Sequence, residues 1–446
     1  MSYEDYFKGK RITIMGLAAE GRGLQDAEFA LKYGALVTVT DMKQAEELSV
    51  ALERLEGYSD VTYTLGEHKL EDFTTTDLVI RSASTPLDSP YLLAAREAGV
   101  LIHTDESLFF ELARTTGLSF TTIGVTGTRG KSTVTQMIYE LLKTKLPNVK
   151  LGGNLRGLAM LPLLETAQDG DTLVLELDSW KLQGLGGHAW SPHIAVFTTF
   201  MNDHMNYYKG DMARYLQDKA QIFLHQSSDD YLIAGQQVAT LLEAEYGPDI
   251  ISQVIIPEAD LPGDWEVGVP GDHNRYNASL ALEVAFLLEV EEEEAKEVLL
   301  NFHGLPGRLE YLGEKEGVKY YNDNNSTTPD ATIAAVKAFP DYQGKIILIG
   351  GGTDKELDYR EYAQVIPEYV REMVLFTGTA TEKIKMVLPN RVSVVEVASM
   401  EEAVRETKSK VQPGDIVLFS PGAASFGIFK NEYDRGDQFV EAIKKL

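Results

Sequence analysis

No cysteine occurs among the 446 residues, which excludes disulfides, thiolate metal centres and a cysteine nucleophile. Basic side chains are scarce: 41 lysines and arginines stand against 68 aspartates and glutamates, for a net charge of −27. A general nucleic-acid surface is thereby excluded, and any polyanionic ligand must be held by local donors working against the overall field. No apolar run approaches the ~20 residues of a membrane span, and the opening Met1-Ser-Tyr-Glu-Asp5 is too polar for a secretion signal. The expectation is a soluble, cytoplasmic protein with no membrane insertion. The chain is too long for one core, so about two to four domains are expected.

The stretch from Phe120 to Leu142 carries the most information. Phe120-Thr-Thr-Ile-Gly-Val-Thr126 reads as a strand and Gly127-Thr-Arg-Gly-Lys-Ser-Thr133 as a turn. Val134, Met137, Ile138, Leu141 and Leu142 then recur with the period of one buried helical face. In such a strand, turn and helix, Gly127 and Gly130 let the backbone of Gly127, Thr128 and their neighbours aim N–H groups at one anion. The helix N-terminus adds its partial positive charge. Lys131 supplies a point charge to the outer phosphates, and the hydroxyl of Ser132 or Thr133 a magnesium ligand. ATP and Mg2+ are the ligands expected, although Val125 stands where the general pattern has its first glycine.

The segments on either side read as α/β. Arg11–Met15, a glycine turn from 16 to 23, a helical stretch to Tyr33 and a strand from Ala35 ending at Asp41 outline a βαβ unit. Strands follow at 78–80 and 100–102. The glycines at 16, 21 and 23 lack dinucleotide-binding spacing. Glu176 interrupts the apolar strand Thr172–Leu177, where an ionised carboxylate needs a metal or a salt-bridge partner. His204 follows the strand Ile194–Thr198. Met212, Tyr215, Leu216, Ile222 and Phe223 trace one helical stripe with Lys219 inside it, either functional or snorkelling at the core's edge. Gly271–Asn277 opens a helix over 278–288, with Asn274 and Asn277 spaced to face the same way. Beyond residue 304, apolar strands at 318–321, 345–349, 373–376 and 415–419 form a second Rossmann-like layer.

T-G-T-x-G-K-S-T at 126–133, Gly152-Gly-Asn154, Glu176–Leu182, Asp203-His-Met205, Gly271–Asn277, Gly304–Glu310 and Ser420–Asn431 come in an order that resembles the Mur ligases. These are ATP-dependent, amide-bond-forming enzymes of peptidoglycan synthesis. The resemblance implies three α/β domains. They are N-terminal Rossmann-like (1–104, binding the UDP part of the substrate), central P-loop ATPase-like (105–304) and C-terminal Rossmann-like (305–446, binding the amino acid). It further implies UDP-N-acetylmuramoyl-L-alanine and glutamate as substrates, and a monomer is expected. By resemblance, Asp41 and Asn154 contact the UDP substrate. Ser132, Glu176, His204 and a carbamylated Lys219 hold magnesium, and Asn274, Asn277, Arg308 and Asp323 serve the nucleotide. Thr327, Lys355, Ser425 and Phe429 hold the incoming glutamate. Three positions depart from the family pattern: Asp178 replaces a serine, Gly307 a histidine and Asn325 a lysine. A related ligase with another amino acid or acceptor, of the folylpolyglutamate synthase kind, and an ATP-binding regulator are the alternatives.

Overall fold

The computed structural model describes residues 1–17, 21–154, 157–258, 261–389 and 391–446. The middle of the Gly16–Gly23 turn and residues 155–156, just after the Gly152-Gly-Asn154 segment, therefore lie outside the described residues. The architecture is α/β throughout, with three sheets of five, six and six strands. The chain divides into two compact units, residues 1–259 with 279–295, and residues 260–278 with 296–446.

The first unit contains two parallel sheets. One is built from β1 (Arg11–Met15), β2 (Leu36–Asp41), β3 (Val61–Leu65), β4 (Leu78–Arg81) and β5 (Leu101–His103), in the order β3-β2-β1-β4-β5. The other comprises β6 (Thr121–Thr126), β7 (Val149–Gly153), β8 (Thr172–Glu176), β9 (Ile194–Phe197), β10 (Tyr231–Ala234) and β11 (Gln253–Ile255), in the order β11-β10-β9-β6-β8-β7. β4, β8 and β9 are buried along their whole length, as strands covered on both faces must be, and this explains their mainly apolar sequences. The chain reverses its direction of travel across the sheet at β1 and again at β6. Open parallel sheets bind ligands in the crevice at the carboxyl ends of the strands flanking such a reversal. Both glycine turns stand at these points.

Several strands escape an apolar-run criterion because they lie at sheet edges. Val61-Thr-Tyr-Thr-Leu65 is half-exposed β3, and Val149–Gly153, which contains the two glycines of the Gly152-Gly-Asn154 segment, is edge strand β7. The helix expected from Ala278 starts at Asp272, so Asn274 and Asn277 lie inside its first turns. Among the described residues, no helix is long and apolar enough to cross a membrane.

In the second unit the sheet runs β12-β13-β17-β14-β15-β16 through β12 (Glu310–Lys315), β13 (Val318–Asn322), β14 (Ile346–Gly351), β15 (Val370–Phe376), β16 (Ser393–Val397) and β17 (Ile416–Phe419). Only β12 pairs antiparallel, through a hairpin with β13. The pleat sends alternate residues to opposite faces. Ile346, Leu348, Ile416 and Leu418 enter one core, while Ile347, Ile349, Val417 and Phe419 enter the other.

Arg435, wholly buried, fastens the last helix (Glu432–Lys444) to this sheet. Its Nε donates to Asn324 Oδ1 (2.7 Å), Nη2 to the Asn324 carbonyl (3.1 Å) and Nη1 to the Ala423 carbonyl (3.2 Å). It thereby ties together the loops that follow β13 and β17. Burial lowers its pKa to about 10. A lysine cannot reproduce this planar three-point contact. Arg435→Lys and Arg435→Ala should each destabilise the protein by roughly 3 kcal/mol, the scale of breaking a buried charged hydrogen-bond network. Urea denaturation checks this, and a loss below roughly 1 kcal/mol in both variants would show that the arginine is not the fastener.

Candidate active site

The turn after β6 is shaped by what lies against it. Gly127 has φ +144°, and a Cβ there would come within 2.0 Å of Thr198 Oγ1, so only glycine fits. Thr198, at the end of β9, donates its hydroxyl to the carbonyls of Thr126 (3.1 Å) and Arg129 (2.5 Å). Thr128 donates its N–H to the Thr199 carbonyl (2.7 Å), and its buried hydroxyl meets both the N–H and the carbonyl of Met201. The loop is thus stapled to the neighbouring strand end before any ligand arrives. Gly130 caps the helix Lys131–Leu142, which brings half-buried Ser132 and Thr133 into its first turn.

Two amines converge on one oxygen of this loop. Lys131 Nζ donates to the Gly127 carbonyl at 2.9 Å and to that of Thr128 at 3.1 Å. Lys219 Nζ donates to the same Gly127 carbonyl at 2.8 Å and stands 3.5 Å from Thr126 Oγ1. Lys219 is 1% exposed on the helix Met212–Ala220, so the snorkelling alternative does not hold. Burial first, and then the charge of Lys131, depress its pKa well below the usual lysine value. The positive charge at this point therefore rests on Lys131 and the loop N–H groups, in a chain of net charge −27.

Glu176 ends β8, in register with Val125 of β6 just before the loop. It is 4% exposed, and its carboxylate has no hydrogen-bond or ion-pair partner among the described residues. The salt-bridge alternative for Glu176 therefore fails too. An unpartnered buried carboxylate beside a phosphate loop suits a hard cation. His204, half-buried with φ +54°, packs its ring against Trp180 at 4.7 Å, and burial lowers its pKa. Asn154 is attached to the same strand end, its N–H donating to the Glu176 carbonyl at 2.6 Å. Its side-chain oxygen accepts from Arg22 Nη1 at 3.1 Å.

A cavity of about 180 Å³ opens at the reversal point of the first sheet. Gly16, Arg22, Arg81, Asn154, Asp178 and Lys181 are among the residues lining it. Asp41 acts from behind: its carboxylate accepts from the N–H groups of Leu17 (2.9 Å) and Lys43 (2.9 Å), which holds the glycine turn in shape. Asp178, the departure from serine, caps the helix Ser179–Gly186 by accepting the Lys181 N–H at 2.9 Å, a role open to either residue type. Sequence reasoning missed Arg81 and Lys181. Arg81 closes the apolar run Leu78–Arg81 and donates to the carbonyls of Ala83 (2.8 Å) and Thr85 (3.0 Å), its pKa lowered to about 10 by burial. A charge at an apolar strand's end, the signal that exposed Glu176, was there to find it. Lys181, 1% exposed and ion-paired with Glu106, has its pKa lowered to about 8 by burial.

In the second unit, loops at the ends of adjacent strands β13, β17 and β14 are joined to one another. Gly422 donates its N–H to the Ser326 carbonyl (2.8 Å), and Thr353 and Ala424 bridge through their backbones. Lys355 Nζ donates to Thr327 Oγ1 at 3.1 Å, so these two expected site residues meet. Buried Ser425 lies on the same set of loops. Phe429, also expected to hold the glutamate, follows Ser425 on this segment and packs edge-on to Phe376 at 5.0 Å. Asp323 is enclosed, accepting from Ser420 Oγ (2.7 Å) and the Leu309 N–H (3.2 Å), and burial lifts its pKa to about 6. It braces the segment carrying exposed Arg308. Asn274 and Asn277 do face the same way, with Asn277 Nδ2 donating to Asn274 Oδ1 at 3.4 Å.

The other two departures, Gly307 and Asn325, prove to be neighbours. Asn325 donates its N–H to the Gly307 carbonyl (2.9 Å), and a Cβ on Gly307 (φ +73°) would come within 3.2 Å of the Asn325 side chain. A side chain at 307 would press on Asn325, which would have to shift by a few tenths of an ångström.

A stapled phosphate loop at the reversal point of a parallel sheet, flanked by two lysines and a buried carboxylate, defines a nucleoside-triphosphate-using α/β enzyme. Residues 125–247 match the Mur ligase middle domain, and residues 307–422 match the Mur ligase, glutamate ligase domain. The UDP-N-acetylmuramoylalanine--D-glutamate ligase of Borreliella burgdorferi (strain ZS7) is 34% identical, over 99% of this chain and 99% of its own. That of Roseiflexus sp. (strain RS-1) is also 34% identical, over 98% and 99%. The fold is similar to that of the MurF ligase from Thermotoga maritima in complex with ADP, with a TM-score of 0.60 and 16% identity over 99% and 96% of the two chains. The chain belongs to the Mur ligase family, and it is an ATP-dependent ligase that forms amide bonds.

Lys131→Ala should lower turnover by two orders of magnitude or more, on the order of the ~3 kcal/mol one preorganised electrostatic contact supplies. Folding stability should barely change. Steady-state kinetics beside thermal denaturation checks both, and near-normal turnover would remove the phosphoryl-transfer role from this loop.

Proposed function

We propose that this ligase adds D-glutamate to UDP-N-acetylmuramoyl-L-alanine in peptidoglycan precursor synthesis, through an acyl phosphate. Full-length relatives carrying that name support the acceptor and the amino acid. The observation that carries the chemistry is the convergence of Lys131 and Lys219 on the Gly127 carbonyl, beside the unpartnered carboxylate of Glu176.

A carboxylate oxygen is a poor leaving group, so direct amide formation is uphill. In the proposed reaction the acceptor's carboxylate oxygen attacks the γ-phosphorus of ATP and ADP departs. The glutamate amine then attacks the acyl carbon, the C–O bond breaks, and phosphate leaves with that oxygen. The loop N–H groups and Lys131 hold the phosphates and neutralise charge that builds during transfer. Magnesium would be held by the Ser132 hydroxyl, the Glu176 carboxylate and a Lys219 carbamate as hard oxygen donors, with the His204 ring as a nitrogen ligand. When bound, the ion would neutralise charge on the transferring phosphoryl group. Arg22, Arg81 and Asn154 line the cavity assigned to the UDP substrate, with Asp41 holding its turn. Thr327, Lys355 and Ser425 would receive the glutamate side-chain carboxylate through charge-assisted hydrogen bonds, and Asn274, Asn277, Arg308 and Asp323 would serve the nucleotide. Domains 1–104, 105–304 and 305–446 would divide these tasks in a cytoplasmic monomer.

The reading is tested by phosphate release measured with ATP, UDP-N-acetylmuramoyl-L-alanine and D-glutamate, omitting each in turn. Release is expected only with all three, and indifference to either co-substrate would point to an ATP-binding regulator. Replacing D-glutamate with other amino acids should lower release strongly, and an equal rate with another amino acid would identify a sister ligase.

Lys219 yields a second test. Buried against Tyr215, with its amine 4.9 Å from that ring, it cannot keep a solvated ammonium, and a neutral amine can capture CO2. Lys219→Ala should be nearly inactive yet partly recovered by acetate, whose carboxylate can enter the vacated space. Full turnover of a folded Lys219→Ala enzyme in CO2-depleted buffer would refute the carbamate.

A further inference from the structure

Away from the phosphate loop, one ligand atom each of His103, Glu111 and His188 lies within 4.8 Å of the other two. His103 ends β5, Glu111 is on the helix Asp105–Thr116, and His188 follows the helix Ser179–Gly186. Ser107 Oγ accepts from the Thr104 N–H (3.0 Å) and stands within hydrogen-bond reach of both the Thr104 carbonyl (3.2 Å) and His103 Nδ1 (3.0 Å). When the hydroxyl proton goes to the carbonyl, Ser107 accepts from His103 Nδ1, and Nε2 is the unprotonated nitrogen. His103 Nε2 is left with its lone pair, 3.2 Å from Glu111 Oε2. The other carboxylate oxygen, Oε1, accepts from Tyr6 Oη at 3.1 Å. His188 Nε2 must donate to the Ile102 carbonyl at 3.1 Å, because a carbonyl only accepts, and its lone pair is on Nδ1.

The 3.2 Å approach of His103 Nε2 to the Glu111 carboxylate needs a proton or a metal ion between the two atoms. A second proton on His103 would serve His103 and Glu111 alone, and would do nothing for His188, whose ring stacks on His103 at 4.0 Å. A metal ion serves all three. Each side chain already has the outer partner that orients a metal ligand: Ser107 for His103, the Ile102 carbonyl for His188 and Tyr6 for Glu111. Two imidazoles and one carboxylate form a donor set suited to a borderline divalent transition metal, with water as the fourth ligand. Bond lengths of about 2.0–2.2 Å require the donors to draw closer and the stacked His188 ring to turn its edge toward the ion, movements that an exposed His188 can supply.

We propose that His103, Glu111 and His188 bind a divalent transition-metal ion of the Zn2+ type, which ties the helix Asp105–Thr116 to the segment after the helix Ser179–Gly186. The site clamps the edge of the first sheet to the layer that carries Glu176 and Lys181, and it takes no part in phosphoryl transfer.

The probe is Co2+, titrated into the full-length protein with Mg2+ in excess to occupy oxygen-rich sites. Wild-type protein should bind one Co2+ per chain with the visible absorption of four-coordinate Co2+, and Zn2+ should displace it. His188→Ala, at an exposed position, and Glu111→Gln should each weaken binding by roughly tenfold or more. Zn2+ should raise the melting temperature of wild type and leave that of His188→Ala unmoved. Absence of the absorption in wild type, or its persistence in His188→Ala, would overturn the proposal. So would its loss in His204→Ala alone, which would place the ion at the phosphate loop.

Discussion

The Gly127 carbonyl, shared by Lys131 and Lys219, is the contact on which the catalytic half of this molecule depends. Two amines on one oxygen are tolerated because burial makes it cheaper for one of them, Lys219, to be neutral or derivatised than to remain an ammonium. The same backbone atom belongs to a residue that admits no side chain, since Thr198 occupies the space a Cβ would need. Loop shape, the position of both lysine side chains and the approach of β9 are thus set by one constraint. In a strongly acidic chain, this local concentration of positive charge and backbone N–H groups is what makes a polyphosphate site possible.

From that centre the parallel sheets account for the remainder. β6 lies between β8 and β9, so Glu176 and the segment leading to His204 emerge on either side of the loop. The first sheet reverses at β1 and opens a cavity between its own strand ends and residues of the helix Ser179–Gly186. The second unit repeats the principle with different chemistry, joining Thr327, Lys355 and Ser425 through loops that hydrogen-bond to one another. Arg435 holds that arrangement from beneath, which gives the Asp434-Arg-Gly-Asp-Gln-Phe439 segment a structural purpose.

Legibility in the sequence followed burial. Strands covered on both faces, such as Ile346–Gly351, could be read from composition, while edge strands Val61–Leu65 and Val149–Gly153 could not, because half-exposed residues carry no apolar run. Glu176 and Lys219 were visible as charges inside apolar periodicity. Arg81 carried the same signal and was overlooked, while Lys181 was hidden because its partner, Glu106, is remote in sequence. At Phe429 the surrounding segment was recognised, while the edge-on packing of its ring against Phe376 could be seen only in the fold. The pairing of Gly307 with Asn325 was equally invisible, since neither residue alone indicates that one leaves room for the other.

The central claim is that the positive pole at Gly127 serves transfer of a phosphoryl group to a carboxylate. It is tested most directly by following oxygen. With 18O in the acceptor's carboxylate, one labelled oxygen should appear in the released phosphate, detected by mass spectrometry, because the acyl phosphate's C–O bond breaks when the amine attacks. Phosphate that carries no label while the amide forms would contradict the account.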